Sequence, residues 1–249
     1  MIESEVCSMS KVDVAVTIAP YEGIDEQLKS DLIREKENID IIELRIDQRE
    51  SLDFKELEKL LKDLKNIDIK ARVLVTYRTA VQGGKGSKNG KDYYEFLQDL
   101  IQIEGYNMID IEWEETQTET LLQLIAQAQA AGLEVVLSQH DFEQTPNLEA
   151  LKFTYFKMNK LGADILKIAV MPKERQDVLN LLEALATSAE SVQSKSVGIA
   201  MSHLGLVSRT AQGVFGGAIS YGCLGEPQAP GQIHVRKLKE LLNLYEINK

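Results

Sequence analysis

The chain has 249 residues, 44% of them hydrophobic, enough for a sizeable core, and no apolar run reaches the roughly 18 residues that would span a bilayer. A formal net charge of -11 at pH 7 argues against nucleic acid or anionic membrane as a partner, so an anionic substrate would need local arginines to hold it. The start, "MIESEVCSMSKVDVAV", lacks a basic leader and a long apolar segment, and Cys7 and Cys223 have no metal-type spacing, which together point to a cytoplasmic protein with reduced thiols.

After residues 1–11, read as an N-terminal extension, β-rich apolar runs alternate with amphipathic helical patterns. "DVAVTIA" (13–19) and "IDIIELRI" (39–46) are the first two predicted strands, and "FKELEKLLKDLK" is a helix leading to "ARVLVTYR" (71–78). The loop "GGKGSKNGKD" follows. It lacks the glycine and the Ser/Thr that a phosphate loop requires, and it misses GxGxxG, so a mobile loop is expected. Next come the helix "DYYEFLQDLIQIEG", the strand "MIDIEW" (108–113), the helix "TETLLQLIAQAQAAG" and the strand "LEVVLSQH" (133–140). The helix "NLEALKFTYFKMNKLG" then precedes "DILKIAV" (164–170), "SVGIAM" (196–201) and "GAISYG" (217–222). Gly105, Gly132 and Gly162 stand where a helix C-terminal turn would feed the next strand. About eight βα units in about 250 residues match an α/β fold of the (β/α)8 TIM-barrel type, a single domain spanning 1–249, with a doubly wound open sheet as the alternative.

Side-chain parity turns this into a statement about chemistry, because alternate strand residues face the barrel lumen and the helices. In "IDIIELRID" the polar residues Glu43, Arg45 and Asp47 share one face with Ile41, and in "ARVLVTYR" Arg72, Leu74, Thr76 and Arg78 share another. One register per strand gathers Glu43, Arg45, Arg78, Asp110, Glu112, His140, Lys167 and Met201 in one lumen, most of them near strand C-terminal ends, where such barrels carry function.

Lysine in the middle of "ADILKIAV" is the most informative of these, since desolvation and nearby arginines push an amine toward its neutral, nucleophilic form. A Schiff-base enzyme with His140 as general acid and base is one reading. A structural lysine whose head pairs with Asp110 or Glu112 is equally compatible with the residues alone. Glu43, Asp110 and Glu112 also allow a glycosidase pair or a Mg²⁺ site, but neither would use Lys167, and three histidines (His140, His203, His234) leave little for zinc. "MSHLG" lacks the glycines of a nucleophile elbow around Ser202.

The motifs "ELRID", "TYRT", "SQHDFEQTP", "GADILKIAVMP", "GIAMSHLGLVSR" and "EPQAPGQI", in this order, resemble the type I 3-dehydroquinate dehydratases of the shikimate pathway, from about Val12 to Leu242. The resemblance implies a lyase that removes water from 3-dehydroquinate by syn elimination, giving 3-dehydroshikimate for aromatic amino-acid (chorismate) biosynthesis, with no cofactor and no metal. It implies the imine at Lys167, proton transfer by His140, and substrate contacts from Glu43, Arg45, Arg78, Met201, Gln228 and Gln232. Arg209 would grip the carboxylate, where a planar fork makes Arg→Lys non-conservative. A homodimer is also implied. Two positions depart from the family pattern: Gln82 stands where many members have glutamate beside the histidine, and Gln228 where serine often precedes "APGQ". A class I aldolase and a sensor that kept the pocket but lost the chemistry are the rival readings. "HDF" with "APGQ" argues against the first, and retention of both Lys167 and His140 against the second.

Overall fold

The computed structural model describes residues 11–246, so Cys7 and all of the expected N-terminal extension except Lys11 lie outside the described residues. In chain order the elements are β1 (Asp13–Ile18), α1 (Glu26–Glu35), β2 (Ile41–Arg45), α2 (Phe54–Lys65), β3 (Arg72–Thr76), α3 (Gly90–Ile101), β4 (Met108–Glu112) and α4 (Thr118–Ala130). They continue with β5 (Glu134–Asp141), α5 (Leu148–Asn159), β6 (Ile165–Val170), α6 (Arg175–Ser191), β7 (Lys195–Ala200), α7 (Leu206–Thr210), β8 (Ile219–Gly222) and α8 (Val235–Glu246). Each strand lies parallel to its neighbours in sequence order, and β1 pairs with both β2 and β8. Between β7 and β8 a parallel bridge at Ser196 and Gly217, with Ala218 N–H donating to Ser196 O at 2.9 Å, completes the ring. The architecture is therefore the (β/α)8 barrel and not the open sheet, whose strand order would reverse at a switch point.

Local sequence explains why these segments take these forms. In α2, Leu57, Leu60, Leu61 and Leu64 recur at helical spacing and are buried, while the Asp53 side chain accepts hydrogen bonds from the Lys55 and Glu56 N–H groups at the N-terminus. Gly105, Gly132 and Gly162 all have positive φ, the conformation that lets a helix end and turn into the next strand.

The interior separates into two apolar bodies. The larger lies between the barrel wall and the helices; the smaller fills the lumen. Every strand sends one residue to the lumen floor: Ala15, Ile41, Leu74, Met108, Val136, Ile165, Val197 and Ile219. This layer closes the barrel from below and denies water a path through it. Above it the lumen turns polar, with Thr17, Glu43, Thr76, Asp110, Ser138 and Lys167 all buried. Such groups must find partners inside the protein, and the partners they find define the site.

The loop after β3 differs from the mobile segment expected. Gly84 N–H donates to Thr79 O at 2.8 Å, Gly86 N–H to Arg78 O at 3.0 Å, and Lys88 N–H to Tyr77 Oη at 3.0 Å. A Cβ on Gly84 would sit 2.1 Å from Arg78 O and one on Gly86 2.6 Å from the same atom, so these two glycines serve close approach of the chain to itself rather than looseness. Glycine composition alone does not separate these two uses.

Candidate active site

At the C-terminal ends of the strands, one cavity of about 90 Å³ is lined by all nine residues singled out for the site: Glu43, Arg45, Arg78, His140, Lys167, Met201, Arg209, Gln228 and Gln232. Thr17, Gln82, Phe142, Ile199 and Tyr221 join them. Alternation places Thr17 on the lumen face of β1 with Asp13 and Ala15, and Tyr221 on that of β8 with Ile219; parity was a sufficient signal for both, yet neither was among the expected site residues.

Lys167 occupies the middle of β6, only 4% exposed, with Nζ 3.6 Å from Glu43 Oε1 and 4.0 Å from the centre of the Tyr221 ring. Burial is the largest influence on its amine and lowers the pKa below the usual lysine value; Glu43 and Asp110 oppose this, and Arg78 and Arg45 reinforce it. Glu43 is held as a carboxylate. Its burial favours the acid, but Lys167, Arg45 and the Thr17 hydroxyl, which donates to Oε2 at 2.6 Å, bring its pKa below normal. Thr76 Oγ1 donates to Oε1 at 3.1 Å.

The structural alternative for Lys167, pairing with Asp110 or Glu112, does not occur, because Arg78 occupies both. Its Nη2 donates to Asp110 Oδ1 at 2.8 Å, and its Nη1 to Glu112 Oε1 at 3.0 Å and to Ser138 Oγ at 2.9 Å. A planar guanidinium can satisfy several acceptors in one plane, which a lysine cannot, so the longer-reaching cation takes the lumen's lower carboxylates. The same contacts remove these carboxylates from the glycosidase and Mg²⁺ readings. Arg78 therefore borders the cavity with both terminal nitrogens engaged, while Arg45 is held by Asp47 through Nε at 2.8 Å and Nη2 at 2.9 Å.

His140, half-buried at the end of β5, has its pKa well below the ordinary value, first through desolvation and then through Arg78, Lys167 and Arg45. It is a neutral base at neutral pH. Gln82 fixes which nitrogen carries the proton. Gln82 Oε1 accepts the His140 backbone N–H at 2.9 Å and lies 3.2 Å from Nδ1, so the oxygen end of the amide is the one presented and Nδ1 must be the donor. Nε2 is then the free base. A carboxylate at position 82 would keep both bonds and favour imidazolium. Gln82→Glu is expected to raise the His140 pKa and move the acid limb of kcat/KM to higher pH, by about one unit for a charge at this distance. Histidine titration by NMR, read beside the pH–rate profile, checks it; an unmoved resonance would show that the two side chains do not communicate.

Arg209 in α7 is only 1% exposed and, among the described residues, has no acidic partner and none at all for Nε: Nη1 donates to Tyr221 O at 3.3 Å and Nη2 to Pro230 O at 3.0 Å. Burial pushes its pKa down to about 10, which still leaves a cation at neutral pH. A buried guanidinium bound only to carbonyls is a ready receptor for an anion. The loop after β8 wraps this arginine. Gln232 Oε1 accepts from Gln228 N at 2.8 Å and Ala229 N at 3.2 Å, and Gly231 has φ +80° with its missing Cβ position 2.4 Å from Ser202 O. Gln232 is thus buried at 8% exposure and pins the loop, rather than being a solvated loop residue, whereas Gln228 touches the cavity from an exposed position.

A wider cleft of about 770 Å³ adjoins the cavity and shares Thr17 and Gln228 with it, but its lining carries Glu22, Asp25, Asp31 and Glu226 and no cationic side chain. The cations lie in the smaller cavity. An anionic ligand is accordingly directed there in spite of the chain's net negative charge.

The fold and cavity define a (β/α)8-barrel enzyme site with a desolvated lysine, a neutral histidine and a buried arginine bound to backbone carbonyls. A family profile for type I 3-dehydroquinase matches residues 14–249, and the chain belongs to that family, as a carbon–oxygen hydro-lyase. It is 76% identical over 241 residues to the 3-dehydroquinate dehydratase of Staphylococcus carnosus, covering 97% of this chain and 100% of the relative. It is 53% identical over 239 residues to that of Staphylococcus epidermidis RP62A, covering 96% and 100%. Among solved structures, the type I enzyme of Clostridium difficile, with covalent modified comenic acid, superposes with a TM-score of 0.82 at 30% identity over 95% of this chain and 92% of that one. The enzyme of Geobacillus kaustophilus superposes at 0.83 with 24% identity over 96% and 93%, a likeness of fold.

Proposed function

We propose that the protein converts 3-dehydroquinate to 3-dehydroshikimate by syn elimination of water through an imine at Lys167. The observation that carries this reading is the juxtaposition in one cavity of a desolvated lysine beside Glu43, a neutral histidine with a free Nε2, and a buried arginine with no acidic partner among the described residues. Family membership supports the substrate, and the covalently modified ligand named for the Clostridium difficile relative supports a reactive side chain in this cavity.

The neutral Lys167 amine adds to the C3 ketone and the carbinolamine loses water, leaving a protonated imine that withdraws electrons from C2. His140 removes the C2 proton through Nε2, giving an enamine; the returning electron pair expels the C1 hydroxyl, which takes the proton from imidazolium and leaves as water. Hydrolysis of the conjugated imine restores the amine and releases the enone, so the net change is loss of one water. Arg209 binds the substrate carboxylate, Glu43 and Arg45 meet hydroxyl groups, Met201 packs on the ring, and the Gln228–Gln232 loop covers it. Arg78 supports the site from beneath through Asp110 and Glu112. The imine itself is the electron sink, so this sequence calls for no cofactor. A cytoplasmic homodimer, one barrel domain over the whole chain, and service in chorismate biosynthesis accompany this reading.

Reduction with borohydride in the presence of 3-dehydroquinate tests it directly. Peptide mapping is expected to place one reduced adduct on the peptide carrying Lys167. A folded protein that forms product without such an adduct would remove the imine from the mechanism.

A further inference from the structure

The lysine head lies against a surface that the proposed mechanism leaves without a task. Tyr221 of β8 is 3% exposed, its ring centre is 4.0 Å from Lys167 Nζ, and its hydroxyl has no hydrogen-bond partner among the described residues. A buried tyrosine normally uses its O–H, so a tyrosine that presents its ring to a cation and leaves its hydroxyl unpaired is placed for the ring.

We propose that the face of Tyr221 is the seat of the positive charge whenever the lysine nitrogen carries one, holding the Lys167 ammonium of the resting site and, after the neutral amine has added to the ketone, the protonated imine. This rests on the imine reading and adds a positioning residue to it. The other groups that face this charge are Glu43 and Arg45 from β2, Arg78 beyond β3, Asp110 from β4 and His140 from β5. Glu43, 3.6 Å from Nζ, attracts the cation through its charge, which it shares with Arg45 and the Thr17 hydroxyl. A π face attracts the cation and cannot accept the proton. The Tyr221 hydroxyl is equally unsuited to proton exchange, because burial, Glu43 and Asp110 hold its pKa well above normal. The carboxylate thus supplies field and the ring supplies a contact that survives the change from ammonium to planar iminium.

Borohydride transfers one hydride to the carbon of a protonated imine far faster than to a neutral one, so adduct yield against pH reports the protonation of the intermediate. Wild type, Tyr221→Phe and Tyr221→Leu are compared with 3-dehydroquinate from about pH 6 to about pH 10, together with the alkaline limb of kcat. Tyr221→Phe is expected to keep the wild-type profile, since it keeps the face and removes an unpaired hydroxyl. Tyr221→Leu is expected to lose adduct about one pH unit earlier on the alkaline side, giving several-fold less near pH 9, the range of a desolvated cation–π contact. Thermal melting controls for folding, and Tyr221→Met replaces the leucine variant if that one melts early. A wild-type profile in a folded Leu or Met variant would make the ring mere filler and overturn the proposal, as would a Phe variant that behaves like Leu. Absence of adduct in wild type at every pH would overturn the imine reading itself, and this inference with it.

Discussion

Lys167→Met is expected to turn over 3-dehydroquinate at no more than about 10⁻⁴ of the wild-type rate, the scale of loss seen when a covalent nucleophile is removed, while the barrel stays folded. Methionine has nearly the length of the lysine stem and no charge to desolvate, and the site it enters is only 4% exposed. The partner it abandons has a way to adjust. Glu43 keeps hydrogen bonds from Thr17 and Thr76 but loses Lys167, the largest influence favouring its ionised form, so in the variant it is expected to take up a proton. A neutral acid bonded by two hydroxyls is tolerable in the lumen, and a cooperative melt close to that of wild type should accompany the loss of activity. Enone absorbance gives the rate and circular dichroism the folding. Residual activity within about a hundredfold of wild type would mean that His140, Arg209 and the field of the site carry the reaction without an imine.

Much of this arrangement was legible in the sequence because a strand has a strict period of two. The alternation in "IDIIELRID" separated Glu43 and Arg45 from Ile42 and Leu44, and the structure places the former on the lumen and the latter against the helices. Lys167 could be singled out for the same reason: a buried ammonium in an apolar run conflicts with local preference, and such conflicts collect at functional sites. What parity could not decide was which cation meets which carboxylate. Lys167 and Arg78 both face a lumen holding Glu43, Asp110 and Glu112, and the pairing depends on side-chain length, on the parallel register that sets Ser138 beside Lys167, and on the number of acceptors each head can satisfy. Loops were the other limit. The reversal of expectation for "GGKGSKNGKD", and the burial of Gln232 by the turn at Gly231, both follow from backbone contacts with distant residues such as Arg78 and Ser202, which no local pattern encodes.

The second large effect concerns the cation that the reaction does not consume. Arg78→Met is expected to destabilise the folded state by about 3–5 kcal/mol at pH 8, a large part of the usual 5–15 kcal/mol, with a fall in Tm of about 10 °C. The reason is the pair it leaves behind: Asp110 is 0% exposed and Glu112 6% exposed, and both lose the guanidinium that pairs with them. Burial already raises the Glu112 carboxyl above its ordinary value with Arg78 present; without it the acid form is favoured further. The pH dependence has a definite sign. A carboxyl whose folded pKa lies above its unfolded value binds more protons in the folded state, so stability is full below the unfolded pKa and is lost as pH rises through the folded one. The deficit of Arg78→Met should therefore shrink between about pH 8 and about pH 5, as the stranded Glu112 becomes neutral. Urea unfolding at the two pH values measures it. Adding Asp110→Asn and Glu112→Gln to Arg78→Met removes both charges at nearly constant shape, and this triple variant should recover most of the stability at pH 8 and lose the pH dependence. A triple variant as unstable as the single one would assign the role of Arg78 to packing of its stem. Recovery would instead identify an internal ion cluster, placed just above the apolar floor, whose charges the fold balances so that the charge changes of catalysis fall on Lys167 and His140.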